Sequence, residues 1–155
     1  MCVDVGARCS ACADGWAVAP PEAGHYAFND LHAVLSLVGA GRPDDAARVV
    51  DAARAASRAS STVGAMAADV GVPLMVGVLA YGQGRHADAV ESLMAVRDVC
   101  HRFGGSHAQR DLVDLTLIDA ALRAGQRRLA RHLLNERLPA KAGSPLTRHW
   151  AERIG

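Results

Sequence analysis

His107 and Asp111 have the residue types and the spacing of a proton-transfer pair. They lie in a segment that reads Gly-Gly-Ser-His-Ala-Gln-Arg-Asp from Gly104. Residues four apart share one face of a helix, so the carboxylate could orient the imidazole as a general base. Ser106 is expected to cap the helix, and its hydroxyl is then not a free nucleophile. The pair therefore supports acid–base chemistry only as an alternative to a structural or binding role.

Arg110 lies between His107 and Asp111, and Asp114 follows three residues after Asp111. Two interpretations of these charges remain open. They could form internal ion pairs that fix one helical hairpin against the next. Alternatively, the planar guanidinium of Arg110 could clamp a carboxylate or a peptide backbone.

Cys9 and Cys12 form a Cys-x-x-Cys pair near the start of the chain. A zinc site would need further ligands, and the nearby candidates His25 and His32 lie on a different segment. A redox pair would need a neighbouring strand pattern, which is missing. We therefore interpret the cysteines as small apolar residues on one helix face, and we assign no metal site, cofactor or catalytic residue.

A second polar and aromatic cluster precedes the first strongly apolar helix. It contains His25, Tyr26, Asn29 and His32, with Phe28 among them. Aromatic residues make up only 4% of the chain, so two within three positions stand out. The cluster could line a binding groove, or the aromatic rings could simply staple the loop to the helix end.

Helical periodicity positions both clusters. Ser106 and Gln109 have the spacing of a capping box, followed by an apolar stripe of Leu112, Leu115, Ile118 and Leu122. An opening helix presents Val5, Cys9, Cys12 and Trp16 on one face. Further helices are predicted over residues 31–40, 43–58, 73–82, 86–101, 106–124, 127–138 and 145–150, with residues 139–143 as a linker. Residues 59–72 are ambiguous: Ser60 to Thr62 could cap a short helix through Asp69, which Gly71 would then end.

A repeat is visible when Gly41, Gly84 and Gly125 are aligned, since they lie about 40 residues apart. An apolar residue lies three positions before each glycine: Val38, Tyr81 and Leu122. An alanine lies five positions after each glycine: Ala46, Ala89 and Ala130. A larger apolar residue lies nine positions after: Val50, Leu93 and Leu134. Helix pairs at this period indicate an α-solenoid.

The composition excludes several classes of protein. The 155 residues carry a net charge of +1, which gives no electrostatic reason for binding nucleic acid or an anionic membrane. No apolar run is judged long enough to span a membrane, and the first residues lack the pattern of a signal peptide. The four cysteines are therefore expected to be reduced, and the protein to be cytoplasmic.

Three segments together resemble the C-terminal part of the tetratricopeptide repeat protein 38 (StaR-like) family. They are residues 25–33 with the Gly-Arg turn at Gly41, the segment from Gly104 to Asp111, and residues 143–148. The family implies a helical-repeat fold and, by analogy, protein binding, but no catalytic residues. It would have larger apolar residues at Cys9 and Cys12, so we read both cysteines as core substitutions.

The sequence predicts an all-α, tetratricopeptide-like α-solenoid fragment. Residues 1–24 are an orphan helix and loop of an upstream repeat, 25–138 three helical hairpins, and 139–155 a linker and a short capping helix. We expect a non-catalytic protein-interaction or scaffold module that is the C-terminal part of a longer protein. The alternative is an enzyme, or an accessory subunit, acting on a small molecule through His107 and Asp111.

The partner is expected to be a protein or peptide, not nucleic acid or a membrane. The exposed N-terminal helix is a further expected surface, through which the chain would self-associate. The binding groove would use polar residues at matching ends of first helices: His25, Tyr26, Asn29, His32, His107, Arg110 and Asp111.

Overall fold

The computed structural model describes residues 8–17 and 24–155, and within these ranges the chain is helical. The α-helices are α1 (Arg8–Ala17), α2 (Ala27–Gly39), α3 (Pro43–Ala56), α4 (Thr62–Gly82), α5 (His86–Met94), α6 (His107–Arg123), α7 (Arg127–Lys141) and α8 (Pro145–Ile154). A 3₁₀ helix (Arg97–Phe103) connects α5 to α6. The all-α class predicted from the periodicity is confirmed.

Three hairpin turns have the same backbone structure. The glycine in each has a positive φ: +70° at Gly41 and +75° at both Gly84 and Gly125. The hydrogen bond that closes each turn runs from the backbone N–H of the residue after the glycine to the carbonyl oxygen four positions before the glycine. This is the Schellman pattern, and the bonds are Arg42 to Leu37 at 2.8 Å, Arg85 to Ala80 at 2.9 Å, and Gln126 to Ala121 at 2.8 Å.

The helices that follow these turns also bury equivalent residues. The small residue five positions after each glycine has no exposed surface: Ala46, Ala89 and Ala130. The larger residue nine positions after is at most 4% exposed: Val50, Leu93 and Leu134. Small side chains let the helices approach closely, and the larger residues then fill the space behind them. The alignment made on the sequence therefore corresponds to equivalent structural positions.

Helices that pack together are close in sequence. α2 contacts α1, α3 and α4; α4 contacts α3, α5 and α6; α6 contacts α5 and α7; and α7 contacts α8. The core lies between these successive layers, and its largest fully buried side chains come from every helix from α2 to α8.

Helix α4 is longer than predicted. Gly71 does not end a helix, because the π-helical turn Ala67–Gly71 carries the chain into the segment containing Pro73. The whole of Thr62–Gly82 is long and apolar enough to cross a membrane by length and composition alone, which corrects our estimate of the longest apolar run. Just over half of its apolar window is buried inside the protein.

Two other predicted boundaries are wrong. The helix predicted over 86–101 ends at Met94 and gives way to the 3₁₀ helix, although Cys100 remains buried. The linker predicted at Pro139 is helical, because α7 continues to Lys141 with the proline inside it.

The opening helix does not bury the predicted face. Ala13 is fully buried, whereas Cys12 is exposed and Trp16 is 36% exposed. Cys9 lies against Gly39 of α2 and is half-buried. The reading of Cys12 as a core substitution is therefore wrong, and Val5 lies outside the described residues.

Candidate functional site

The N-terminus of α6 has the predicted capping box. The Ser106 hydroxyl accepts a hydrogen bond from the Gln109 backbone N–H at 3.3 Å. The Gln109 side-chain oxygen accepts from the Ser106 N–H at 2.7 Å. These bonds satisfy backbone groups that a helix start otherwise leaves without partners, and they fix where the side chains of the first turn lie.

The same turn lies beside the start of α2. The His32 Nε2 accepts from the Gln109 amide at 3.3 Å, and its Nδ1 donates to the Phe28 carbonyl at 2.7 Å. A Cβ at Gly105 would lie 2.8 Å from the Phe28 ring, so the ring requires a glycine there. The two clusters singled out in the sequence are therefore neighbours in the structure.

The open cleft nearby uses only one of these clusters. His107, Arg110 and Asp111 line a cleft of about 730 Å³ together with the 3₁₀ helix and α7. His25, Tyr26, Asn29 and His32 do not line it, and the first three are exposed elsewhere on the surface. The seven residues predicted as one groove are thus divided between two adjoining surfaces.

Three carboxylates in this cleft are held in ion pairs. Asp111 accepts two hydrogen bonds from the Arg137 guanidinium, one of them at 2.9 Å. Asp114 accepts from Arg97 at 2.9 Å, and Glu136 accepts from the same arginine at 2.6 Å. Burial lowers the pKa of Arg97, but its bonds to Asp114 and Glu136 outweigh that effect and hold the pKa above its usual value. Both Asp111 and Asp114 thus form internal ion pairs, but with Arg137 and Arg97 and not with Arg110, the arginine of the cluster singled out in the sequence.

Arg110 and His107 contact each other rather than these acids. The Arg110 guanidinium donates to the carbonyl of Gly105 and lies 3.2 Å from the His107 Nδ1. Because Asp111 accepts from Arg137 on both oxygens, it does not orient the His107 imidazole. The hydrogen bond needed for a His–Asp general base is therefore not formed.

Seven residues of the cleft were not singled out in the sequence: Arg97, Asp98, His101, Glu136, Arg137, Ala140 and Lys141. Arg137 is the most buried of them, and its Nε also donates to the Thr147 hydroxyl of α8 at 3.2 Å. Cys100 forms part of the cleft wall, and burial, followed by the nearby Asp114, raises the pKa of its thiol. No local spacing marks Arg97 and Arg137, because their acid partners lie on other helices.

Among the side chains that the structure describes, no group of three histidines, cysteines or acids is placed to hold a metal ion. No model of a known protein family matches the chain, and no solved structure matches it. The resemblance to the tetratricopeptide repeat protein 38 family therefore rests on the three sequence segments alone.

Proposed function

We propose that this chain is part of a tetratricopeptide-like α-solenoid that serves as a protein-interaction scaffold. Three equivalent glycine turns support the repeat, together with the buried alanines at equivalent positions after them. Packing between helices that are close in sequence is the contact pattern of a solenoid. Such stacks present extended surfaces to their partners, and the partner proposed here is a protein or peptide segment.

The open cleft between the 3₁₀ helix, α6 and α7 is the proposed binding site, and its charge distribution carries the proposal. Three of its acids, Asp111, Asp114 and Glu136, pair with Arg97 and Arg137, and a fourth acid, Asp98, also lines the cleft. Two further cations, Arg110 and Lys141, line the same cleft without an acid partner among the described residues. Arg110 and Lys141 therefore offer positive charge and N–H donors to a partner, although acids and cations are equal in number across the whole cleft.

Arg110 is suited to binding a carboxylate or a peptide carbonyl, because its guanidinium is planar and already oriented by the Gly105 carbonyl. Lys141 is exposed at the end of α7 and adds a second positive charge. A small-molecule enzyme acting through His107 and Asp111 has less support, since the carboxylate is used by Arg137.

The test is affinity capture with a charge-removal variant. Arg110→Gln combined with Lys141→Gln removes both cations and leaves the Asp111–Arg137 pair intact. We expect recovery of the specific partner to fall about tenfold or more, as loss of two charge-assisted hydrogen bonds would produce.

The matched control is Arg58→Gln combined with Arg128→Gln, which removes the same charge from exposed positions outside the cleft. It should recover the partner as the wild type does. Equal recovery by all three proteins, with unfolding curves showing each to be folded, would rule out the cleft as the binding site. A partner lost equally from both variants would indicate a non-specific charge effect.

A further inference from the structure

A second, smaller cleft lies between the end of α4, α6 and α8. It has a volume of about 260 Å³, and its walls include Tyr81, Leu112, Leu115, Leu146 and Trp150. This is below the roughly 300–1,000 Å³ of typical small-molecule pockets. A cleft of this size and composition fits one large apolar side chain.

The rim of this cleft exposes apolar surface from two different helices. Leu112 of α6 is 40% exposed, and Leu146 of α8 is 41% exposed. Leu112 and Thr116 also line a narrow crevice that runs on toward Leu35 of α2. Covering these side chains would remove apolar area from water, which favours binding of an apolar group.

Several polar groups in the walls have partners within the protein, whereas the Trp150 indole N–H and the Asp119 Oδ1 are buried without a hydrogen bond to any described residue. The Thr116 hydroxyl donates to the Leu112 carbonyl at 2.7 Å. Asp119 accepts from the Tyr81 hydroxyl and, at 2.5 Å, from the Arg123 Nε. Because most of the wall is apolar, an occupant would contact mainly carbon atoms.

Two arginines lie beside the cleft. Asp119 is shared by Arg123 and Arg153, whose side chains are 39% and 34% exposed. The Arg153 guanidinium also lies over the Trp150 ring, 4.9 Å from its centroid, and so places a positive charge beside the apolar rim. An acidic residue next to the inserted apolar side chain would complement that charge.

We propose that this cleft binds a segment of a partner protein that presents an aromatic or leucine side chain next to an acidic residue. This site shares no residue with the cleft lined by Arg110 and Lys141. It rests on the proposed function only in that the partner is a protein. A direct binding measurement with short probes therefore tests it without requiring that function.

The indole N–H of Trp150 provides the readout in ¹H–¹⁵N NMR spectra of the full chain. Trp150 lies in the cleft wall and is 7% exposed. The other tryptophan, Trp16 of α1, gives a second indole signal that serves as an internal control, and the Trp16→Phe variant identifies which signal belongs to it. Three probes separate the contributions: N-acetyl-Glu-Phe-amide, N-acetyl-Lys-Phe-amide and N-acetyl-Glu-Gly-amide. We expect the Glu-Phe probe to shift the Trp150 signal, the Lys-Phe probe to bind more weakly, and the Glu-Gly probe to have no effect.

Leu112→Ala combined with Leu146→Ala should weaken Glu-Phe binding about tenfold, because it removes apolar contact on both sides of the rim. Val63→Ala combined with Met94→Ala, which truncates apolar side chains of similar exposure outside the cleft, should not. Added salt should reduce the preference for Glu-Phe over Lys-Phe.

Three results would overturn the proposal. The first is an unchanged Trp150 signal up to the solubility limit of the Glu-Phe probe. The second is an equal shift from the Glu-Gly probe. The third is a Trp150 signal that changes with protein concentration and not with probe, since a second copy of the chain would then cover the cleft.

Discussion

Asp111 and Asp119 lie on the same helix, α6, in two different surroundings. Asp111 is at the edge of the larger cleft, its side chain is 20% exposed, and it pairs with Arg137. Asp119 is deeper, with 8% of its side chain exposed, and it binds Tyr81 and Arg123. Burial of the carboxylate alone would make Asp119 the more important of the two for stability.

The burial of the partners reverses that ranking. The Arg137 side chain is only 6% exposed, whereas the Arg123 and Arg153 side chains are 39% and 34% exposed. If its carboxylate is deleted, Arg137 stays buried as an unpaired charge, while the other two arginines can be hydrated. Deleting one member of a buried ion pair is costly because of the charge that remains.

Asp111→Ala should therefore have the larger effect, a loss of about 3 kcal/mol in the free energy of unfolding. Urea unfolding followed by circular dichroism measures it. Adding Arg137→Met to Asp111→Ala should recover part of the loss, because the unpaired charge is then removed. A loss below about 1 kcal/mol would show that Arg137 finds water or another partner.

Asp119→Ala should cost less, about 2 kcal/mol, the scale of losing hydrogen bonds to a buried charged group. The Tyr81 hydroxyl loses its hydrogen bond to Asp119, and Tyr81→Phe in the same background should restore part of the stability. The same unfolding measurement applies. If Asp119→Ala proves more destabilising than Asp111→Ala, the exposure of the arginine partners does not decide the cost.

The local features of this molecule could be predicted from the sequence, and the pairings between helices could not. The glycine turns and the Ser106–Gln109 capping box depend on residues within six positions of each other. The Asp111–Arg137 pair joins residues 26 positions apart, and Tyr81 binds Asp119 across 38. No local pattern encodes those distances, because they depend on how the helices stack.

The helix faces were predicted with a small rotational error. In α6 the predicted stripe included Leu112, which is 40% exposed, while Val113 and Leu117 are buried. In an alanine-rich helix, small residues can face the neighbouring helices, so the largest side chains do not by themselves mark the buried face. Leu112 therefore lies exposed at the rim of the smaller cleft, where we propose that a partner covers it.

Asp30 extends the comparison to a buried carboxylate held by a backbone donor. It is 5% exposed, and both of its oxygens lie 3.1 Å from the Gly24 N–H. Burial raises the pKa of Asp30, and the Gly24 hydrogen bond and the charge of His25 only partly oppose it. Ionised Asp30 is thus less favoured in the folded chain than in the unfolded chain.

The smallest expected effect is therefore a pH dependence at Asp30. Between the unfolded pKa of about 3.9 and the raised folded pKa, the folded state holds more protons, so its stability falls as the pH rises through that range. Asp30→Asn removes this titrating group. The free energy of unfolding of the variant, relative to that of the wild type, should therefore be highest near pH 7 and fall as the pH is lowered toward 4. Urea unfolding across this range, repeated with His25→Gln to remove the imidazolium, measures the difference. The opposite result is a stability difference between variant and wild type that stays constant with pH or grows in the other direction. It would mean that the Gly24 hydrogen bond offsets the effect of burial, so that the folded protein holds Asp30 in its charged form.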